Sequence, residues 1–357
     1  MSLFSLKPDP VIGIDISSTA IKLLELSRAG KGYKVESYDM EPLPEKAVED
    51  KNIVEIEFVG EAIGRAVKRA NPRTQYAAVA VAGPTVITKV ITMDGGMSDN
   101  DMREQIEADP VTYLGQNVEE DDVSFDFQVI GPNEKEPERV DILLAACRGE
   151  TLEARKTVLE LANLKPKVVD IEKYALENAF VMVARNDPEI NEGETIALIE
   201  VGATTTTMNV LGDHKIVYAR EEMFGGKQLT EQIQARYDLS YEEANLAKRN
   251  GGLPDDYETD ILEPFKMEMA TEISRMVQYY YSSSSYGKLS HILIAGGCAT
   301  IPGIIEHINN KVGGHVSIVN PFAGMSIASR VSKKALMNDA PALMIACGLA
   351  LRTFDEY

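Results

Sequence analysis

The chain has 357 residues, 44% apolar and 26% charged, with 56 acidic side chains against 36 basic ones for a formal net charge of −20. That length can bury a core large enough for two lobes or more. The acidic excess argues against nonspecific nucleic-acid binding and against adsorption to an anionic membrane surface, since both need cations facing phosphates. No stretch approaches ~20 uninterrupted apolar residues, so no direct membrane insertion is expected. Residues 1–8 lack the basic start and long apolar run of a signal peptide. Cys147, Cys298 and Cys347 stand in apolar surroundings without disulfide or metal-ligand spacing, as buried thiols of a reducing compartment do. A cytoplasmic location is expected.

Residues 11–26 read as two apolar strands joined by a tight polar turn. Val11, Ile12, Ile14 and Ile16 are β-branched, as a buried strand prefers. Asp15 puts a charge near the end of that strand, which is costly unless it is solvated or serves a cation. Ser17, Ser18 and Thr19 then offer hydroxyls and backbone N–H groups, the donors a phosphate needs, and Lys22 follows within reach of the same anion. A plain β-hairpin with a capping Asp accounts for this stretch equally well.

Residues 32–41 suggest a third strand, and Pro42, Pro44 and the acidic run to Asp50 a loop. From 53 to 70 the period changes: Ile56, Val59, Ile63, Ala66, Val67 and Ala70 recur at helical spacing until Asn71-Pro72. Residues 76–82 form a buried strand broken at Gly83-Pro84. Residues 85–165 read as a separate unit in β-α-β-β-α order. Its helices are one capped by Ser98 and Asp101, ending before Pro110, and an amphipathic one at 151–164. Its strands are 86–93, a half-exposed alternation at 123–129 and 140–147. Residues 167–171 return to the first lobe, Glu172 starts a helix to about Arg185, and 186–194 form an acidic linker.

The second half opens at 196–211 with another strand, turn and returning strand, followed by a strand at 214–220. Gly225-Gly226 precede an amphipathic helix carrying Leu229, Ile233 and Tyr237. A helix at 240–250 ends at Gly251-Gly252, and a long one spans 260–282. A strand from Ile292 ends in Gly296-Gly297, where a double glycine lets backbone approach a flat ligand, and a helix is expected to start near Thr300 to Pro302. A strand near 316–319, the turn Asn320-Pro321-Phe322 and an apolar helix at 340–351 complete the chain.

The halves repeat. Glu200 lies 185 residues after Asp15, Val201 falls on Ile16, Gly202 and Ala203 on the two serines, and Thr204 on Thr19. Two facing turns of this kind could clamp a polyphosphate, with two acids holding a hydrated Mg2+ between them. Duplication can also be purely architectural.

The two turns and the glycine pair, about 185 and 95 residues apart, resemble the phosphate and adenosine motifs of the actin-like ATPase superfamily. Actin, sugar kinases, seventy-kilodalton heat-shock ATPases and bacterial FtsA share them. The resemblance narrows to the PilM family of type IV pilus assembly. It rests on the Ile-Asp-Ile-Ser-Ser-Thr-Ala-Ile-Lys start, Val-Val-Asp-Ile-Glu-Lys-Tyr-Ala-Leu at 168–176, Gly225-Gly226 and Asn320-Pro321-Phe322.

The resemblance implies an α/β, actin-like ATPase fold: two lobes, each a mixed sheet flanked by helices, with an inserted subdomain of the FtsA and PilM type. The first lobe core would be 1–84, 166–194 and 336–357, and the insertion 85–165. The second lobe core would be 195–224 and 288–335, with a helical part at 225–287. Its implied cofactors are ATP and Mg2+. Asp15 and Glu200 would hold the metal through water; Ser17, Ser18, Thr19, Lys22, Gly202, Ala203, Thr204, Thr205 and Thr206 the phosphates. Gly225, Gly226, Lys248, Gly296, Gly297 and Ala299 would lie along the nucleoside, and Glu172 would orient the attacking water or simply favour a helix N-terminus. Glu200 departs from the usual Asp by one methylene, so binding is better supported than hydrolysis, which is expected to be weak or absent in isolation.

Three functions compete on these grounds. The leading one is an ATP-binding scaffold recruited to the inner membrane by the N-terminal cytoplasmic peptide of PilN. That peptide would lie in a groove between the first lobe and residues 85–165, with other pilus inner-membrane and motor proteins, and a homo-oligomer, as further possible partners. A kinase of the sugar-kinase branch would need an Asp base on the acceptor hydroxyl, for which no motif is visible. An FtsA-like division protein would be expected to end in an amphipathic membrane helix, unlike the Leu-Arg-Thr-Phe-Asp-Glu-Tyr end here.

Overall fold

A computed structural model describes residues 10–83, 86–115 and 122–354. The expected break at Pro84, the N-terminal residues 1–8 and the final residues 355–357 lie outside the described residues. β1 (Ile12–Ile16), β2 (Ala20–Ala29) and β3 (Gly32–Pro42) form an antiparallel meander. A minimal hairpin, β4 (Val48–Glu49) and β5 (Asn52–Ile53), occupies the region read as loop. Its turn residues Asp50 and Lys51 both have positive φ, the geometry a two-residue hairpin turn requires. α1 (Ile56–Ala70) buries Val59, Ala62, Ile63 and Ala66 and ends at Asn71 in the left-handed region. β6 (Tyr76–Val81) then lies parallel to β1.

The next unit holds β7 (Ile87–Asp94), α2 (Asp99–Ala108), α3 (Pro110–Leu114), β8 (Val123–Pro132) and β9 (Arg139–Arg148). The expected capping box is formed by Ser98 and Asp101, and Pro110 opens α3 rather than only closing α2. The three strands pair in the order β7–β9–β8 over a core of Met93, Met102, Ile106, Ile142 and Leu144. α4 (Gly149–Leu161) packs elsewhere. Its Val158 and Leu159 join Ile63 and Ala66 beneath the first sheet, and a Cβ on Gly60 of α1 would lie only 2.8 Å from Leu161 Cβ. The boundary at 165 therefore needs correction by packing: α4 goes with the first sheet, because its apolar face is buried there. β10 (Lys165–Ile171) completes the order β10–β6–β1–β2–β3.

α5 (Glu172–Asn186) leads into β11 (Thr195–Val201), β12 (Thr206–Gly212) and β13 (Lys215–Glu222). The helices α6 (Gly226–Tyr237), α7 (Tyr241–Asn250) and α8 (Glu263–Ser283) follow, α8 entered through a π turn at Glu258–Leu262. β14 (Leu289–Ala295), α9 (Ile304–Val312) and β15 (His315–Ile318) close the second sheet in the order β13–β12–β11–β14–β15. This is the topology of β3–β2–β1–β6–β10 again. The register repeats too: Asp15 faces Lys22 on β1 and β2, and Glu200 faces Thr207 on β11 and β12. The helix after Gly296-Gly297 begins at Ile304 rather than near Thr300 to Pro302, since Gly303 with φ 78° cannot continue a right-handed helix from Pro302.

The chain re-enters the first sheet before the expected boundary at 335. β16 (Ser326–Ile327) pairs with β3, and Arg330 donates to the carbonyls of Glu36 at 2.8 Å and Asn71 at 2.7 Å. α10 (Lys333–Asp339) was not legible in the sequence, and the helix read at 340–351 is α11 (Met344–Leu351) behind a 3-10 turn containing Pro341. The axis bends by 97° at that break. Among the described residues no single helix is long and apolar enough to cross a membrane. The apolarity of α11 has another cause: all eight of its residues are buried.

α5 and α11 carry one core across both sheets, from Val11 and Leu24 through Ala179, Phe180, Met344 and Leu349 to Leu198 and Leu293. Contact is so close that a Cβ on Gly348 would lie 1.7 Å from the Ala175 carbonyl oxygen, and one on Gly13 2.3 Å from that of Ala346. Backbone cannot yield as a flexible side chain can, so overpacking here costs on the order of 3 kcal/mol. Gly348→Ala is expected to lower the melting temperature by several degrees or abolish soluble expression, while Gly32→Ala, whose nearest non-neighbour atom is 3.9 Å away, leaves both unchanged. Thermal unfolding of the two variants checks this.

Candidate functional site

The two strand ends that carry the repeated acids bring a buried charge cluster together. Asp15 is 4% exposed, and Lys22 lies across from it with Nζ 2.8 Å from Oδ2. Removing one member of such a pair strands the other charge in the core. Burial pulls the Lys22 pKa down, but Asp15 and then Glu200 raise it above the ordinary value. Glu200, at the matching place on β11, has its carboxyl pKa raised by burial, with Lys22 and Lys51 opposing. Lys22 thus stands in the field of one carboxylate from each half of the chain.

Lys51 and Arg155 belong to the same cluster, and sequence reasoning missed both. Lys51 Nζ lies 2.7 Å from Glu172 Oε1, and Glu172 holds the Lys51 pKa up against burial. Arg155 is 2% exposed and donates through Nη2 to the Lys51 carbonyl at 2.6 Å. Its Nε and Nη1 are buried without partners, at a cost of about 1–3 kcal/mol each unless water or an anion accepts from them. Burial lowers its pKa. A signal for Arg155 existed: it sits three and four residues before Val158 and Leu159, on the buried stripe of α4. Lys51 carried none, because its hairpin shows no strand pattern. Glu172 heads α5 as expected, but its carboxylate is engaged by Lys51.

On the second lobe the three glycine turns touch through backbone. Gly226 N–H donates to the Gly202 carbonyl at 2.9 Å and Lys227 N–H to that of Ala203 at 2.8 Å. A Cβ on Gly225 would lie 2.4 Å from the Ala203 oxygen, and one on Gly296, whose φ is 87°, 2.3 Å from that of Val201. Gly297 is exposed and would meet nothing within 4 Å, so the surface over it is open. Burial pushes the Cys298 thiol beside Gly226 up to about 11. Lys248 donates to Thr230 Oγ1 at 2.5 Å and the Gly226 carbonyl at 3.3 Å; these are neutral partners, and burial lowers its pKa.

The remaining expected residues divide. Ser17, Ser18 and Thr19 form the half-exposed turn after β1, where the Ser17 hydroxyl donates to the Ala20 carbonyl at 2.8 Å. Thr204 is exposed and Thr205 half-buried. Thr206 requires correction: it is fully buried and its hydroxyl donates to the Phe224 carbonyl at 2.8 Å, so its side chain closes the turn instead of being offered to a phosphate. The Ala299 methyl lies in the second core. One exposed ion pair bridges the lobes, Lys227 of α6 to Glu45 beside β4, at 3.0 Å.

Comparison with solved structures establishes the fold. The chain resembles that of a "PilM-PilN type IV pilus biogenesis complex" with TM-score 0.75 and 24% identity, over 97% of this chain and 99% of that one. It also resembles the ethanolamine utilization protein EutJ from Carboxydothermus hydrogenoformans, with TM-score 0.57 and 17% identity over 98% and 91% of the two chains. A diol dehydratase-reactivating factor, in nucleotide-free form, follows at TM-score 0.53 and 8% identity over 97% and 100%. The fold is that of the actin-like ATPases. The family described as "Type IV pilus assembly protein PilM" matches residues 13–354, and the chain belongs to that family.

Proposed function

We propose that the chain is an ATP-binding scaffold of type IV pilus assembly whose lobe angle answers to Mg2+-ATP. The observation that carries this is Lys22 lying in the field of both Asp15 and Glu200, at turns the fold duplicates. The donor set fits a metal-nucleotide. One carboxylate comes from the end of each repeated strand, and the hydrogen-bond partners of Lys248 among the described residues are neutral. Bound Mg2+ would neutralise phosphate charge. Asp15 and Glu200 would hold it through water, Ser17, Ser18, Thr19, Lys22 and residues 202–205 would hold the phosphates, and Gly297 would leave room for the base. Engagement of both turns would bias the lobes toward one relative angle. Engagement of Glu172 by Lys51 supports sensing over turnover.

The second part of the reading is a peptide partner. The likeness to a chain of a PilM-PilN complex supports PilN as that partner, and the reading places its N-terminal peptide in a groove between the first lobe and the three-stranded unit. One face of that unit's sheet supports the location. Val90, 56% exposed, pairs with Leu143 there, while Thr88, two residues earlier on the same face, lies beside Tyr174 of α5. An extended peptide can use main-chain bonds and such apolar anchors. Recruitment by this peptide would place the protein at the inner membrane.

Lys22→Ala is expected to weaken Mg2+-ATP binding at least tenfold in calorimetry, and to lower apo stability because Asp15 loses its partner. Unchanged affinity removes Lys22 from the site. Glu200→Gln is expected to act oppositely on stability. A raised carboxyl pKa means that ionisation costs the folded state more than the unfolded one, a penalty that builds as pH rises above the unfolded pKa and is complete above the folded one. The variant's apo melting temperature at pH 7.5 should rise by about 1–3 °C while Mg2+-dependent affinity falls. A lower apo melting temperature would show that the Glu200 charge stabilises the fold. Val90→Asp is expected to weaken binding of a labelled PilN N-terminal peptide tenfold or more in fluorescence anisotropy without affecting ATP; equal peptide affinity would move the groove elsewhere.

A further inference from the structure

The chain contains four histidines, and two of them stand side by side at the edge of the second sheet. His291 of β14 and His315 of β15 are register partners on parallel strands, with ring centroids 4.9 Å apart. The linker between α5 and β11 runs past this edge and brings Glu189, whose Oε2 lies 3.7 Å from His315 Nε2. One ligand atom from each of Glu189, His291 and His315 lies within 4.8 Å of the others. Glu194 from the same linker stands next to them. Its Oε1 accepts from Asn191 Nδ2 at 2.8 Å, whereas its Oε2, 3.5 Å from His291 Nδ1, is buried without a hydrogen-bond partner.

From this we propose a zinc-class transition-metal site formed by Glu189, His291 and His315, with Glu194 as a fourth ligand or as the carboxylate behind His291. Two imidazoles and a carboxylate are a donor set that Zn2+ accepts, and Mg2+ and Ca2+ prefer oxygen alone. Tetrahedral ligation at ~2.0–2.2 Å needs ligand atoms about 3.3 Å apart. Closing from the present separation asks for small rotations, and His315 and Glu189 are exposed enough to make them. An acid orienting a ligating imidazole is the usual arrangement around such ions. The ion would pin residues 187–194, the connection from α5 to β11, onto β14 and β15. The site lies outside the nucleotide residues proposed above and stands or falls without them.

The test is titration of the metal-free full chain with ZnCl2 in a non-chelating buffer, followed by calorimetry and thermal unfolding. One equivalent should bind, with a rise in melting temperature that grows with free Zn2+. His315→Gln and Glu189→Gln should each lower the affinity tenfold or more with apo melting temperature unchanged, and His214→Gln and His307→Gln should bind as wild type. Co2+ in place of zinc should give d–d absorption without a thiolate charge-transfer band, since the three cysteines take no part. Absence of Zn2+ binding at micromolar concentration, wild-type affinity in His315→Gln, or a thiolate band would overturn the proposal. If His315→Gln unfolds more easily, Glu189→Gln, on an exposed linker side chain, decides alone: retained affinity rejects the site.

Discussion

Everything else in this structure is arranged around a place where backbone meets backbone. β1, α11 and α5 stack so closely at Gly13 and Gly348 that no side chain fits between them. Dispersion and burial over such a contact are large because no methylene holds the elements apart. One core can therefore run through both sheets by way of two crossing helices. The consequence is mechanical. On the proposed reading, any change in lobe angle would have to pivot about this shared contact.

The duplicated halves were legible because duplication leaves two kinds of trace. Strand apolarity repeats at a fixed offset, and so do the odd residues within it: Asp15 against Glu200, Thr19 against Thr204. Matching strand order and register in both sheets give that repeat a physical form. Less was legible where one residue's role depends on a distant partner. Thr206 looked like a phosphate donor because threonines surround it, but its register partner is Glu222, and the Phe224 carbonyl takes its proton. Lys51 and Arg155 gather around Glu172 from a minimal hairpin and from a helix about a hundred residues later, an arrangement no local pattern announces. Helix ends failed for a local reason: Gly303 and Pro341 each interrupt apolar runs whose periodicity alone predicts continuity.

The charge cluster has a logic of its own. Three acids, Asp15, Glu172 and Glu200, meet three bases, Lys22, Lys51 and Arg155, and burial opposes the charge on Glu200 and on the three bases. Two pairs are hydrogen-bonded directly, and among the described residues Arg155 keeps two buried N–H positions, Nε and Nη1, without partners. A buried base with unmet donors beside clustered carboxylates can gain from a ligand that is itself both anion and cation, which is the chemistry the proposed metal-nucleotide reading requires.

The Glu45–Lys227 pair spans the lobes at the surface, with both side chains about one-third exposed. Exposed pairs of this kind contribute about 0–1 kcal/mol, which multiplies the population of the joined arrangement by at most about fivefold. A contact that weak cannot lock the joint, but it can tune it. Added salt weakens exposed pairs of this kind, so on the proposed reading the balance between lobe arrangements would answer to the surrounding electrolyte as well as to the ligand.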